Sequence, residues 1–326
     1  MTCRTEEGQP SSPIFYIVPP EAKALFGENA SNVKEITLSL PIINQLFDIP
    51  LGCEIQPLAP EEMDPVDRNT FLVRCYQAIV SYEITKKTYG DYSCQWIANS
   101  LTNRDRILTA PTVDRLDVKQ GKDFALIVGG GPSVKPELIP ANADVFCCWN
   151  AVGRLGKVVP DYVGHVDPSS RAGYPTQFGN NTKLIATPQV DPAFLDISGE
   201  LYAYLDPCNP CNTWFANYFK MGCHQHIVGT VAHMLTNAAI YAGYKTIALM
   251  GVDHAWVSGD YDSAKGCEIT EVVNRHGIMI KTYSVFQTCS YAFFETMNYF
   301  PDVKIYQTSE TALDIQGVDY RPIEAF

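Results

Sequence analysis

Short, uninterrupted apolar runs alternate with breaks marked by glycine, proline or charge, and the rhythm is clearest after residue 122. Phe124 to Val128 is wholly apolar and runs straight into Gly129-Gly130-Gly131-Pro132-Ser133. Such a run reads as a parallel strand buried on both faces that empties into a sharp turn. The pattern recurs at Ala143 to Trp149, Tyr162 to Val166, Leu184 to Thr187, Leu201 to Leu205, Thr246 to Met250 and Val303 to Tyr306. Helical spacing predicts helices over Thr230 to Ala242 and Phe286 to Tyr299. Strands alternating with helical spacers predict an α/β fold, a Rossmann-like, doubly wound and mostly parallel sheet.

Ahead of this rhythm the pattern is weaker. Residues 1 to about 30 are rich in Pro, Glu and Ser and predict an irregular, surface-lying start. From Val33 to Leu58, apolar runs cut by Pro41, Pro50 and Pro57 predict short strands and turns. Phe71, Cys75, Ile79 and Tyr82 recur at helical spacing, which predicts a helix over Asp67 to Tyr89 with Asp67 as its N-cap, and a second helix covers Ser93 to Leu108. The polar stretch Asp114 to Lys122 then predicts a boundary: an accessory N-terminal region over 1–114 and a nucleotide-binding core over 115–326.

Composition narrows the function. The 326 residues are 46% hydrophobic and 11% aromatic, enough for a large core, and the net charge of −12 argues against binding nucleic acid or an anionic membrane by bulk electrostatics. An anionic ligand must then be held by local donors. No apolar run approaches the roughly 20 residues of a membrane span, and the first residues lack a secretion-signal pattern, so a cytoplasmic location is expected. Eleven cysteines, an odd number, fit reduced thiols better than a disulfide framework.

In a parallel sheet of this kind ligands bind outside the carboxyl ends of the strands. Those ends carry Gly129, Gly130, Gly131 and Ser133 after the first strand, Asn150 after the second, Asp167 after the third, and Asp253-His254 after the sixth. A glycine loop lets backbone N–H groups approach a phosphate, and an amide suits a nucleobase or ribose edge, though Asn150 equally suits a helix cap. The dinucleotide fingerprint is not met: Val134 stands at its third glycine and Asn150 where its ribose-binding acid belongs, so NAD hydride chemistry is disfavoured. Gly229-Thr230 opens a helix whose N-terminus suits phosphate, with His233 one turn in as an adjustable donor. Asp253, His254 and His233 are the candidate proton-transfer residues. Cys208, Cys211, Cys223, His224 and His226 have ligand types found in structural zinc sites, but the second half lacks the paired spacing and no metal is expected.

At these residues a resemblance appears. GKDFALIVGGGPSV, ADVFCCWNAV, PDYVGHVDPSS and the block from GTVAH to GVDHAW resemble the MptE-like superfamily, which includes motility accessory factors of flagellin glycosylation and archaeal 6-hydroxymethylpterin diphosphokinases. More distantly, they are similar to the sialyltransferases of glycosyltransferase family 42. The resemblance covers roughly Lys122 to Tyr320. It implies that Gly130 and Gly131 contact the nucleotide, that Asn150 matches an asparagine binding a cytidine nucleotide, and that Asp167 falls where another such asparagine stands. It also implies that Thr230 matches a phosphate-contacting threonine, and that His233 matches a histidine common in the motility factors. One departure is clear: the sialyltransferase catalytic histidine falls near Thr282 to Val285, where this chain has none; His276 is nearest and His254 better placed.

These readings lead to a glycosyltransferase-like enzyme that takes a nucleotide-activated sugar, with a CMP-linked nonulosonic acid one candidate, and an acceptor hydroxyl. No permanently bound cofactor is expected. The alternatives are an ATP-dependent diphosphokinase of the 6-hydroxymethylpterin type, with Mg2+ on Asp167 and Asp253, and a nucleotide-binding protein without catalysis.

Overall fold

The computed structural model describes residues 14–20, 22, 31–36, 46, 49, 53–117, 122–169, 181–197, 199–206, 209–222, 230–259 and 268–326. The chain divides into two compact units, Met1–Asp91 and Tyr92–Phe326.

Among its described residues the first unit holds three parallel strands, β1 (Ile14–Val18), β2 (Val33–Glu35) and β3 (Glu54–Pro57), in the order β2-β1-β3. Strand β1 corrects the expectation of a wholly irregular start: Ile17 and Val18 are buried, and Ile17 joins Ile36, Ile55 and Phe71 in a core. Two predicted helices are one, α1 (Pro65–Thr102). The N-terminus is held by Asp64, not Asp67: its Oδ1 accepts from the N–H of Val66 at 2.9 Å and of Asp67 at 3.3 Å, with Pro65 in the first turn where it costs no hydrogen bond. Nothing between Tyr89 and Ser93 stops the helix, since one Gly90 costs only about 1 kcal/mol.

The division between units falls inside α1, at Asp91 and Tyr92, and not at the polar stretch 114–122. The chain from 92 to 114 is tied into the second unit by its own contacts: Ala203 N–H donates to the Pro111 carbonyl at 2.8 Å, and Ile107 and Val113 are buried in that unit's core. A short helix, α2 (Arg104–Thr109), follows α1 there.

Among the described residues the second unit is built on a sheet of eight strands: β4 (Phe124–Val128), β5 (Ala143–Cys148), β6 (Tyr162–His165), β7 (Lys183–Ala186), β8 (Leu201–Ala203), β9 (Thr246–Met250), β12 (Lys304–Gln307) and β13 (Asp319–Tyr320). Their order is β13-β12-β9-β4-β5-β6-β7-β8, and every neighbouring pair is parallel. All five residues of β4 and all six of β5 are buried, as a sheet covered on both faces requires; β4 is wholly apolar, and the one charge within β5, Asp144, accepts from the Tyr244 hydroxyl. After β4 the chain moves outward through β8 and then returns to place β9 on the other side of β4. That reversal is a topological switch point, so a crevice opens above the carboxyl ends of β4 and β9.

The connections from β4 to β8 are short: 3-10 turns at Pro136–Leu138 and Trp149–Arg154, and the four-residue helix α3 (Pro192–Leu195). The longer helices come later: α4 (Pro210–Phe219), α5 (Val231–Ala242) and α6 (Ser284–Tyr299). Ten of the twelve residues of α5 are buried, three of them the polar His233, Thr236 and Asn237. Between β9 and α6 stands an antiparallel hairpin that apolar runs do not disclose, β10 (Ile269–Val273) and β11 (Met279–Tyr283). Its turn carries Gly277 at φ 73°, and Asn274 Oδ1 accepts from the N–H of His276 and of Ile278.

Candidate functional site

One cavity of about 320 Å³ lies at the switch point. It is lined by Gly129, Gly130 and Gly131 after β4, Trp149 and Asn150 after β5, His165 and Asp167 at the end of β6, Thr230 to Ala232 at the start of α5, and Gly251 to Ala255 after β9, with Phe286 of α6. Eight of the ten candidate residues therefore line a single space. Ser133 and His233 stand one contact behind it, each bonded to a lining residue.

The glycines are required by close packing of two loops. A Cβ on Gly129 would stand 2.4 Å from the Gly251 carbonyl oxygen, and one on Gly131 would stand 2.4 Å from Asp253 Oδ2 and 2.6 Å from the Gly251 oxygen. Gly251 itself has φ 66°, where a side chain is strained. The Gly129 and Gly131 N–H groups donate to the Met250 and Gly251 carbonyls at 2.8 and 2.7 Å, so both are spent within the fold. This corrects the expectation that the whole glycine loop offers N–H groups to a phosphate; the Gly130 N–H alone makes no hydrogen bond among the described residues. Gly130 is also where a Cβ would meet the Asn150 amide, at 2.7 Å.

Asp253 is 2% exposed and fastens the loop. Its Oδ2 accepts from the Ser133 N–H at 2.9 Å and its Oδ1 from the Ser133 hydroxyl, whose oxygen in turn accepts from the Gly251 N–H at 3.1 Å. Burial raises its pKa, opposed by the Ser133 hydrogen bonds. Both carboxylate oxygens are thus engaged, which makes Asp253 a positioning residue more readily than a base or one half of a Mg2+ pair with Asp167. Arg154, which motif reading passed over, completes the latch by donating to the Gly131 carbonyl at 2.9 Å.

His254 has φ 50°, a left-handed conformation that a non-glycine residue adopts at a cost. Its Nδ1 lies 3.1 Å from the Ser290 hydroxyl of α6, and burial pushes its pKa down to about 4. It is a neutral imidazole throughout the neutral range. His233 is fully buried, 6.4 Å from the His254 ring and 3.9 Å from that of Phe293, and its Nδ1 lies 3.1 Å from the Thr230 hydroxyl. Burial first, and then His254, hold its pKa well below the usual histidine value. Thr230 caps α5, accepting from the His233 N–H at 3.4 Å. The first-turn N–H groups of Val231 and Ala232, which make no hydrogen bond among the described residues, belong to residues that line the cavity, at the positive end of the helix dipole.

Asp167 keeps its carboxylate 67% exposed, 4.0 Å from Nδ1 of the buried His165. His165 and Trp149 form an aromatic wall with Phe194, with ring centroids 5.1 to 6.0 Å apart. Neither was singled out by motif, although a histidine closing an apolar strand at the ligand edge is a signal that sequence carries. His276 is at the hairpin turn against Tyr320, 4.5 Å ring to ring, and is not among the cavity's lining residues.

Of the cysteine and histidine cluster, Cys208, Cys223, His224 and His226 lie outside the described residues. Cys211 is buried with its Sγ 3.4 Å from the Ser100 hydroxyl. Among the described residues no group of three or more His, Cys, Asp or Glu is placed to hold a metal, and no helix is long and apolar enough to cross a membrane. Cys147 and Cys148 are buried thiols whose pKa values burial drives up, to about 12 for Cys148, so they are inert core residues.

Comparison with known proteins agrees with this architecture. The MAf glycosyltransferase from Magnetospirillum magneticum AMB-1 has a similar fold, with TM-score 0.60 and 16% identity over 96% of this chain; the chain spans 54% of that structure. The sialyltransferase CstII from Campylobacter jejuni, solved with the substrate analogue CMP-3FNeuAc, is 17% identical over 62% of this chain and 88% of its own, with TM-score 0.35. An α-2,3-sialyltransferase from the same organism is 14% identical over 65% of this chain and 85% of its own, with TM-score 0.34. No curated protein matches the chain. The model of the 6-hydroxymethylpterin diphosphokinase MptE-like family matches residues 98–259, which carry the glycine loop, Asn150, Asp167, Thr230 and the Asp253-His254 pair. That stretch, just under half of the chain, is what this protein shares with the MptE-like family.

Proposed function

We propose that the cavity at the switch point binds a nucleotide and that the protein is a transferase passing the sugar of a nucleotide-activated donor to an acceptor hydroxyl, with the nucleotide as leaving group. The observation that carries this is the convergence of Gly130, Asn150, Asp167, the α5 N-terminus and His254 on one space at the carboxyl edge of a parallel sheet. The Gly130 N–H and the first-turn N–H groups of α5 would hold the phosphate, which supplies local donors in a protein whose net charge is unfavourable to an anion. Asn150 and Asp167 would take the nucleoside. The neutral His254 imidazole can accept the acceptor hydroxyl's proton as the glycosyl bond forms, although a pKa near 4 makes it a weak base at neutral pH. The fold likeness to a glycosyltransferase supports the same reading.

The test is a thermal-shift and calorimetric screen with CMP, CDP, UDP, GDP and ATP, each with and without Mg2+, since a ligand raises apparent stability according to its affinity. The resemblance at Asn150 makes a CMP-linked nonulosonic acid the first donor to assay for hydrolysis or transfer. Binding of none of these nucleotides overturns the proposal.

A second reading is favoured by the family match: diphosphoryl transfer from ATP to a small alcohol. It expects tight ATP binding and activity abolished by EDTA, where sugar transfer without a metal expects neither.

A further inference from the structure

The cavity wall that carries Asp167 is held from behind by α1. Within the second unit, Gln95 and Asn99 stand four residues apart on this helix, so their side chains share one face, and Asn103 follows four residues later, past the helix end, at the N-cap position of α2. Gln95 Nε2 and Asn99 Nδ2 both donate to the Pro168 carbonyl, at 2.9 and 2.8 Å, immediately after Asp167. Asn99 Nδ2 also reaches the Gln189 carbonyl at 3.1 Å, and Asn103 Nδ2 donates to the carbonyls of Pro188 at 3.0 Å and Val190 at 2.8 Å. The two loops so gripped follow β6 and β7 and are joined to each other by the Asp191 N–H donating to the Asp167 carbonyl at 3.0 Å.

We infer that Gln95 and Asn99 are positioning residues for the nucleotide site: they hold the Asp167 backbone in register with the cavity without touching the ligand. The inference rests on the nucleotide reading of that cavity. The carbonyls they satisfy belong to irregular chain, which no sheet ladder supports. The Asp167 side chain itself is exposed, and among the described residues its carboxylate makes no hydrogen bond, only the 4.0 Å contact with His165. Its placement must therefore come from the backbone, and the backbone at 167–168 is fastened by the Asp191 N–H and by these two amides. Asn103 grips only the second loop and serves as the comparison.

The experiment pairs two isosteric variants, Asn99→Asp and Asn103→Asp. Each sets a carboxylate against two carbonyls in place of a donor, so both lose stability by a similar amount. Only the first is expected to weaken CMP binding by calorimetry, by about tenfold, and to speed hydrogen exchange at the Asp191 amide. Gln95→Ala, at an exposed position that does not threaten folding, is expected to weaken CMP binding by roughly threefold. A double-mutant cycle of Gln95→Ala with Asp167→Ala should be non-additive. Unchanged CMP affinity in both Gln95→Ala and Asn99→Asp, or an additive cycle, overturns the inference. If wild-type protein binds none of the five nucleotides, the functional reading fails, and exchange at Asp191 still decides whether Asn99 sets the loop: unchanged exchange in Asn99→Asp refutes it.

Discussion

At Gly131, side-chain size alone decides whether the site exists. A methyl group there would press into both Asp253 Oδ2 and the Gly251 carbonyl, and neither is the free end of a flexible chain. Gly131→Ala is therefore expected to lower stability by about 1–3 kcal/mol, the usual cost of overpacking, and to abolish nucleotide binding, which denaturant melts and calorimetry will read. Gly153→Ala, where a Cβ meets nothing within 4 Å, is the control and should leave stability within about 0.5 kcal/mol. Asp253 makes a different kind of prediction. As a latch on Ser133, its replacement by Asn should cost roughly 1–3 kcal/mol of stability and weaken nucleotide binding, whereas a role confined to proton transfer would leave both unchanged and lower kcat alone.

Among the elements, α5 links the core to the candidate phosphate site. Its apolar positions Leu235, Ala238, Ala239 and Ala242 are buried against the sheet, while its N-terminus opens on the cavity under the Thr230 cap. Thr230→Ala removes the cap and the hydroxyl partner of His233 Nδ1. The expected result is a loss of about 1 kcal/mol of stability, together with weaker binding of nucleotides that carry phosphate and no change for the free nucleoside. Equal weakening for nucleotide and nucleoside would place the phosphate elsewhere. Element type was largely readable from pattern: β4 is a wholly apolar run and β5 is apolar but for Asp144, and a strand pattern this regular has little alternative. The merging of two predicted helices into α1, and the β10–β11 hairpin, were not readable. A helix that meets a single tolerable glycine continues because its neighbours favour it, and a hairpin exposed along most of β10 shows no buried apolar run.

The whole molecule is expected to be acid-sensitive in a defined direction. His254 has its folded pKa pushed down to about 4, and His233 and His165 are lowered by burial as well. An unfolded histidine binds a proton near pH 6.5, so between about 6.5 and 4 the unfolded chain holds more protons than the folded one. Stability is full above pH 6.5 and falls as the pH falls through this window, by roughly 3 kcal/mol for His254 alone. Urea melts from pH 8 to pH 4.5 will show it, and His254→Gln should flatten the slope. A slope unchanged in that variant would mean that His254 is not held neutral by the fold.

The succession of strands along the chain and the residues at their carboxyl ends were legible in the amino-acid sequence, because an uninterrupted apolar run has to be buried and the polar residues that interrupt it have to surface at its end; the order of the strands within the sheet was not. From that alone Gly130, Asn150, Asp167, Thr230 and His254 could be expected at one edge of one sheet. Which of the loop residues keep a free hydrogen-bonding group depended on partners more than a hundred residues away: Gly251 takes the Gly131 N–H and Ser133 takes the Asp253 carboxylate. Hydrogen bonds of that range leave no periodic trace along the chain, since nothing local requires them. They form only when β9 returns beside β4 and brings the two loops into contact.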